Sequence, residues 1–187
     1  MTSAFSRQVH GMAPLIRFTL LGLYTALVLP LPLMATGTLR GWLWGGALLG
    51  MGLLVALTSE QVVLDGEQLQ VTHPGWCAWW LRRGWHLSWS QVAGLTPVAT
   101  SQGGRVFYVR SKAGASPETP GSARAYLLPQ RVEHFEEFLA RFSALSGVST
   151  EGVSRISPPW TYQVLAVMTG LLLVGEAIAF AWPHGSS

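Results

Sequence analysis

The sequence predicts a membrane α-plus-β protein, in which three transmembrane helices carry an antiparallel β domain capped by one C-terminal helix. Three observations lead there. Only 11% of the 187 residues are charged and 49% are hydrophobic, whereas a typical soluble domain carries about 25% charged residues. Three uncharged stretches reach the length of about 20 residues that a helix needs to cross a hydrocarbon core. Between the second and third stretches lie strand-like segments that give way to a single amphipathic helical pattern. This composition excludes an ordinary soluble enzyme and a disordered chain. Cys77 has no partner in the chain, which excludes a disulfide scaffold.

Phe18 to Leu39 is the first uncharged stretch, with its apolar core from Phe18 to Met34. Pro30 and Pro32 should kink or end it, because proline removes a backbone donor. A cleaved signal peptide is the competing reading, with Arg7 and Arg17 as its basic region. The long apolar run and the span that follows within a few residues favour a retained helix instead. Gly41 to Ser59 is the second stretch. The short connection, about Ala35 to Arg40, makes the first two spans an antiparallel hairpin. In the second span Gly41/Gly45 and Gly46/Gly50 have the small-xxx-small spacing that lets a neighbouring helix approach, although glycine is also simply common in membrane helices. Ile156 to Gly175 is the third stretch, and its apolar character continues past Glu176 to Trp182.

Arginine and lysine set the expected orientation. Arg7 and Arg17 flank the first span, Arg40 stands alone in the hairpin, and the tail after Trp182 has neither. Positive residues accumulate on the cytoplasmic side. The N-terminus and middle domain are therefore expected in the cytoplasm or stroma, and the tail opposite, in a plasma or thylakoid membrane. The net charge of +3 comes from eleven arginines, Lys112 and nine acids, with no long basic run. That is too thin for a nucleic-acid partner. It does suit a modest attraction to anionic membrane lipids.

In the middle domain, Gln61 to Leu64 and Gln68 to Thr72 read as strands around an Asp65-Gly66 turn. Trp76 to Leu81 reads as a third strand. Trp85, Leu87 and Trp89 alternate as one buried strand face. Val92 to Ala99, Arg105 to Arg110 and Ala123 to Leu128 complete the strands, with a turn at Ser101 to Gly104 and an exposed loop at Ala113 to Ser122. Val132, Phe135, Phe138, Leu139, Phe142 and Leu145 then recur at three- and four-residue steps. That is an amphipathic helix from about Pro129 to Leu145, with Gly147 as its stop.

The stretch "VVLDGEQLQV … RRGWHLSWSQVAGL", followed by "RVFYVR", "ARAYLLP" and "RVEHFEEFLARFSAL", resembles the bacterial PH-like domains of small membrane proteins. The resemblance implies a PH-like antiparallel β domain, a fold that serves many binding partners. Two N-terminal spans followed by a β-rich domain ending in "FLARFSALSGVSTEGV" also resemble the thylakoid photosystem I assembly factor family. That likeness implies a non-enzymatic scaffold on the stromal or cytoplasmic face of a photosynthetic membrane. The third span, Tyr162 to Trp182, departs from that family's layout. The expected organisation is a cytoplasmic flank (1–17), a transmembrane hairpin (18–59), a PH-like cytoplasmic domain (60–147), a linker (148–159), a third transmembrane helix (160–182) and a tail (183–187).

The most unusual local feature is Trp76, Trp79, Trp80, Arg82, Arg83, Trp85 and Trp89. Indole prefers the membrane–water boundary, and the arginine fork pairs with phosphate. Trp85 and Trp89 are expected in the core. Trp76, Trp79 and Trp80, with Arg82 and Arg83, are the candidate interface for lipid headgroups or a partner subunit, the alternative being that the three indoles are core. Glu176 is the acid nearest a span interior. An ionisable group there is a functional candidate by default: it can meet a partner helix, hold a pigment metal through water, carry a proton, or simply lean toward the interface. His134 with Glu133 and Glu137 is an incomplete metal set, better read as a solvated face. Cys77, among tryptophans, reads as buried or interfacial. No P-loop, GxGxxG, GxSxG, HExxH or CxxC occurs. The expectation is a non-enzymatic scaffold or assembly factor without cofactor or metal, docking on subunits of a membrane complex. The alternative is a membrane-tethered sensor of lipid headgroups.

Overall fold

The computed structural model describes residues 7–81, 84–100, 105–112, 123–154 and 159–182. The chain divides into two units.

The first unit holds residues 1–13 and 59–157. Its strands are β1 (Gln8–Gly11), β2 (Gln61–Leu64), β3 (Gln68–Thr72), β4 (Trp85–Ser88), β5 (Val92–Ala99), β6 (Arg105–Ser111) and β7 (Ala125–Leu127). They form two antiparallel sheets, β1-β2-β3-β4 and β5-β6-β7. The β2–β3 hairpin closes as expected at Asp65. Its Oδ1 accepts the backbone N–H groups of Glu67 and Gln68 at 2.9 and 2.7 Å, so the aspartate side chain itself builds the turn.

Three features depart from the sequence reading. β1 lies in the segment read as a cytoplasmic flank, with no strand expected there, and it pairs with β2, with His10 opposite Val62. Trp76 to Leu81, read as a strand, is a short helix. The amphipathic helix begins at Phe135 rather than Pro129, because the chain before it is occupied elsewhere. Met12 bridges Val132, and the Glu133 N–H donates to the Gly11 carbonyl at 2.8 Å. His134 then turns the chain in a left-handed conformation, with φ 49°. The expected turn at 101–104 and loop at 113–122 lie outside the described residues.

One core joins both sheets to the C-terminal helix. Val62, Leu64, Leu69, Val71, Leu87, Phe107 and Val109 project from the strands. Phe135, Phe138, Leu139 and Phe142 meet them from the helix. Trp89 sits on a single 3-10 turn after β4 and is buried as predicted. Its Nε1 donates to the Asp65 carbonyl at 2.9 Å, and its ring lies edge-on to Phe142. Trp85 stacks on Tyr126 at 4.8 Å. The helix ends at Gly147, whose φ of 69° is the left-handed stop that glycine adopts freely.

The second unit holds residues 14–58 and 158–187. Its helices are α1 (Pro14–Val28), α2 (Pro30–Met34), α3 (Gly37–Leu57) and α6 (Pro159–Ala181); in the first unit α4 is Gly75–Leu81 and α5 is Phe135–Ser146. The prolines act as expected: α1 stops at Val28 and α2 restarts at Pro30. Arg40, read as part of the connecting loop, instead lies in the first turn of α3, where a long side chain can extend past the helix end. Pro14–Met34, Gly37–Leu57 and Trp160–Ala181 are long and apolar enough to cross a membrane. Phe18, Trp42, Leu48, Leu171 and Ile178 point outward, uncovered by the rest of the unit. Such all-round apolar surface suits a lipid surrounding rather than water. Hydroxyls within these helices bond their own backbone: Thr19, Thr25 and Thr169 donate to the carbonyls of Leu15, Leu21 and Leu165. This leaves no polar group for lipid to satisfy at those positions.

Candidate functional site: an outward-facing tryptophan helix

α4 begins where Pro74 supplies its carbonyl to the N–H groups of Cys77 and Ala78. Over seven residues its two faces separate cleanly. Cys77 is buried, and Leu81 follows one turn later on the same side. Trp76, Trp79 and Trp80 stand at i, i+3 and i+4 on the other side, 57%, 75% and 54% exposed. The helix is amphipathic in the unusual sense that its outer face is the more aromatic one. Trp79 turns its Nε1 back to the Trp76 carbonyl at 3.0 Å, which leaves the apolar ring face outward. The core reading of these three indoles is therefore corrected: the core is filled by Trp89, Trp85 and the phenylalanines, and the α4 indoles lie outside it. Arg82 and Arg83 lie outside the described residues.

The other candidates separate from this site. Gly50 packs against the Tyr24 ring, and Tyr24 Oη donates to the Ala47 carbonyl at 2.9 Å. A side chain at Gly41, Gly45 or Gly46 would meet nothing within 4 Å. α1 and α6 approach closely at Gly22, where a Cβ would come within 3.1 Å of Thr169 Cγ2. Sequence spacing did not single out Gly22, since its partner lies on a helix far along the chain. Glu176 is half-buried, about two turns beyond Thr169 on the same side of α6. Cys77 Sγ lies 3.5 Å from the Pro74 carbonyl. Glu133 and His134 approach to 4.0 Å on an exposed surface, and among the described residues no three His, Cys, Asp or Glu side chains gather as a metal site requires.

A half-buried acid was not found by sequence reasoning. Glu60 directly precedes β2, and the β2–β3 register sets it at the same end of the hairpin as His73. Burial raises the Glu60 carboxyl above its usual 4.5, and His73 and Arg131 pull it down less strongly. A carboxyl whose folded pKa exceeds its unfolded one favours the fold when protonated. Stability is then lost as pH rises from 4.5 through the folded value. Glu60→Gln is therefore expected to raise Tm at neutral pH, by a few degrees, and to leave it unchanged below 4.5. Thermal unfolding of the detergent-solubilised full chain at both pH values measures this. A lower Tm at neutral pH would mean that the His73 and Arg131 attraction outweighs the burial cost.

Comparison with known proteins adds one relative. The chain is 40% identical over 171 residues to the uncharacterized protein slr0269 of the cyanobacterium Synechocystis, covering 89% of this chain and 82% of that protein. The chain belongs to that protein's family. No family model matches it, and no solved structure does.

Proposed function

We propose that this chain is a non-enzymatic membrane scaffold or assembly factor. Its three apolar helices hold a PH-like β domain at a membrane surface, and α4 docks on a subunit of a membrane protein complex. The observation that carries the reading is the outward face of Trp76, Trp79 and Trp80 on a domain whose core closes without them. Exposed tryptophan clusters are characteristic hot spots of protein interfaces. The four-plus-three antiparallel sheets with one C-terminal helix support the PH-like reading. The cyanobacterial relative supports a photosynthetic membrane as the setting. The chain order supports the topology: α1 to α3 lie between β1 and β2, which pair. A helical hairpin inserted there supports a reading with the N-terminus and the β domain on one side of the bilayer, and the positive-inside pattern supports the cytoplasmic or stromal side.

A second reading, favoured by the outward ring face of Trp79, is that α4 dips into the headgroup layer without a protein partner. The two are separated by one comparison. Tagged full-length protein is recovered from native membranes in mild detergent, as wild type and as Trp76→Ser/Trp79→Ser/Trp80→Ser. The scaffold reading expects defined subunits with the wild type and at least a tenfold loss of them with the variant, about 1.4 kcal/mol or more. Wild type recovered alone under crosslinking overturns it in favour of the lipid reading.

A further inference from the structure

The outer face of the β5–β6–β7 sheet carries a second feature, separate from α4. β6 alternates strictly: Phe107, Val109 and Ser111 face the core, so Tyr108 and Arg110 face outward. The register sets Thr96 beside Tyr108, and Gly94 and Ala125 on either side of Arg110. These small residues leave a cavity of about 470 Å³ between Thr96 and Val98 of β5, Tyr108 and Arg110 of β6, and Ala123 to Ala125 at β7. A side chain added at Gly94 would meet nothing within 4 Å.

The polar groups around this cavity are of one kind. Arg110, Arg124, Tyr108 and Thr96 are the polar residues of its lining. Among the described residues no carboxylate lines it. Arg110 has no ion pair and no side-chain hydrogen bond among the described residues, nor do the hydroxyls of Tyr108 and Thr96. The described residues from Val92 to Leu127 include Arg105, Arg110, Lys112 and Arg124 and no acid. A guanidinium at Arg110 that is unpaired among the described residues, with two hydroxyls on the same recess, calls for an oxyanion with several acceptor oxygens. The volume suits a phosphate with a small polar group attached.

We propose that this recess binds a phosphate group, with Arg110 as its main charge partner. A soluble phosphomonoester and an anionic lipid headgroup offer the same chemistry, and the test separates them. Thermal unfolding of the full-length protein in a neutral detergent is followed with added inorganic phosphate, glycerol 3-phosphate, dihexanoyl phosphatidylglycerol or dihexanoyl phosphatidylcholine, against chloride at equal ionic strength. Stabilisation by phosphate or glycerol 3-phosphate assigns the soluble source. Stabilisation by phosphatidylglycerol alone, with phosphatidylcholine inert, assigns the lipid headgroup. In either case Arg110→Gln is expected to weaken the apparent affinity at least tenfold and Thr96→Val several-fold. Arg110 is exposed, so its replacement leaves the core intact. The proposal is overturned if none of the four ligands shifts Tm beyond chloride. It is equally overturned if Arg110→Gln, with an unchanged Tm in chloride, retains wild-type affinity.

Discussion

Phe138→Ala is expected to cost the β domain about 3–5 kcal/mol, the range for truncating a fully buried aromatic. A domain of this size stands only about 5–15 kcal/mol above its unfolded state, so the substitution should leave it close to unfolding at physiological temperature. Phe138 is completely buried and central to a stack: Phe135 lies 6.1 Å away, Phe142 6.3 Å, and the His10 ring meets it edge-on at 5.9 Å. The last contact widens the consequence. His10 belongs to β1, the strand that precedes the first apolar helix in the chain. A cavity at Phe138 loosens the C-terminal helix and the N-terminal strand together. Limited proteolysis of the full-length chain in detergent, with fragments identified by mass, should show new cuts both near residues 8–13 and within 135–146. Tryptophan emission should shift to the red as Trp89 loses its contact with Phe142. A variant that resists protease like wild type would mean the core does not close through Phe138. Cuts confined to the helix would mean that β1 is held by its strand pairing alone.

The way these contacts arise explains which parts of the fold the sequence discloses. β2, β3, β5 and β6 are legible because each is set by local signals: an aspartate-built turn, strict alternation, and turn residues between runs. β1 is not legible, since QVHG carries little pattern and its partner is reached only after a helical hairpin more than forty residues long. Its pairing is a non-local fact. α4 was misread for a different reason. Tryptophan favours strands on average, yet Trp76, Trp79 and Trp80 against Cys77 and Leu81 already had helical spacing, with Pro74 placed to start the first turn. Periodicity was the better guide there than propensity. In the Pro129 to His134 segment, burial was read correctly at Val132 while the conformation was not, because Met12 claims Val132 as a bridge partner before α5 begins. For the candidate site, the residue types were legible in the sequence and their direction was not. Whether an indole faces in or out depends on what fills the core first, and here Trp89 and four phenylalanines do so.

Gly50→Leu and Gly45→Leu form the second strong test, because they add the same apolar side chain to the same helix five residues apart. At Gly50 the new side chain collides with the Tyr24 ring and displaces the Tyr24 hydroxyl from the Ala47 carbonyl. Overpacking of a tight contact costs about 1–3 kcal/mol. The lost interhelical hydrogen bond adds about 0.6 kcal/mol on average in an apolar medium. At Gly45 a side chain meets nothing within 4 Å, so the leucine should be close to neutral within a single chain. Tyr24→Ala, which empties the space the leucine needs, should restore part of the loss when combined with Gly50→Leu and should do nothing for Gly45→Leu. Thermal unfolding of the solubilised full chain ranks all four variants. The reverse order, with Gly45→Leu the more damaging, would show that the open Gly41/Gly45/Gly46 surface is covered in the membrane by another molecule. The packing seam of α3 would then run there rather than through Tyr24, and the helices themselves, not only α4, would hold a partner.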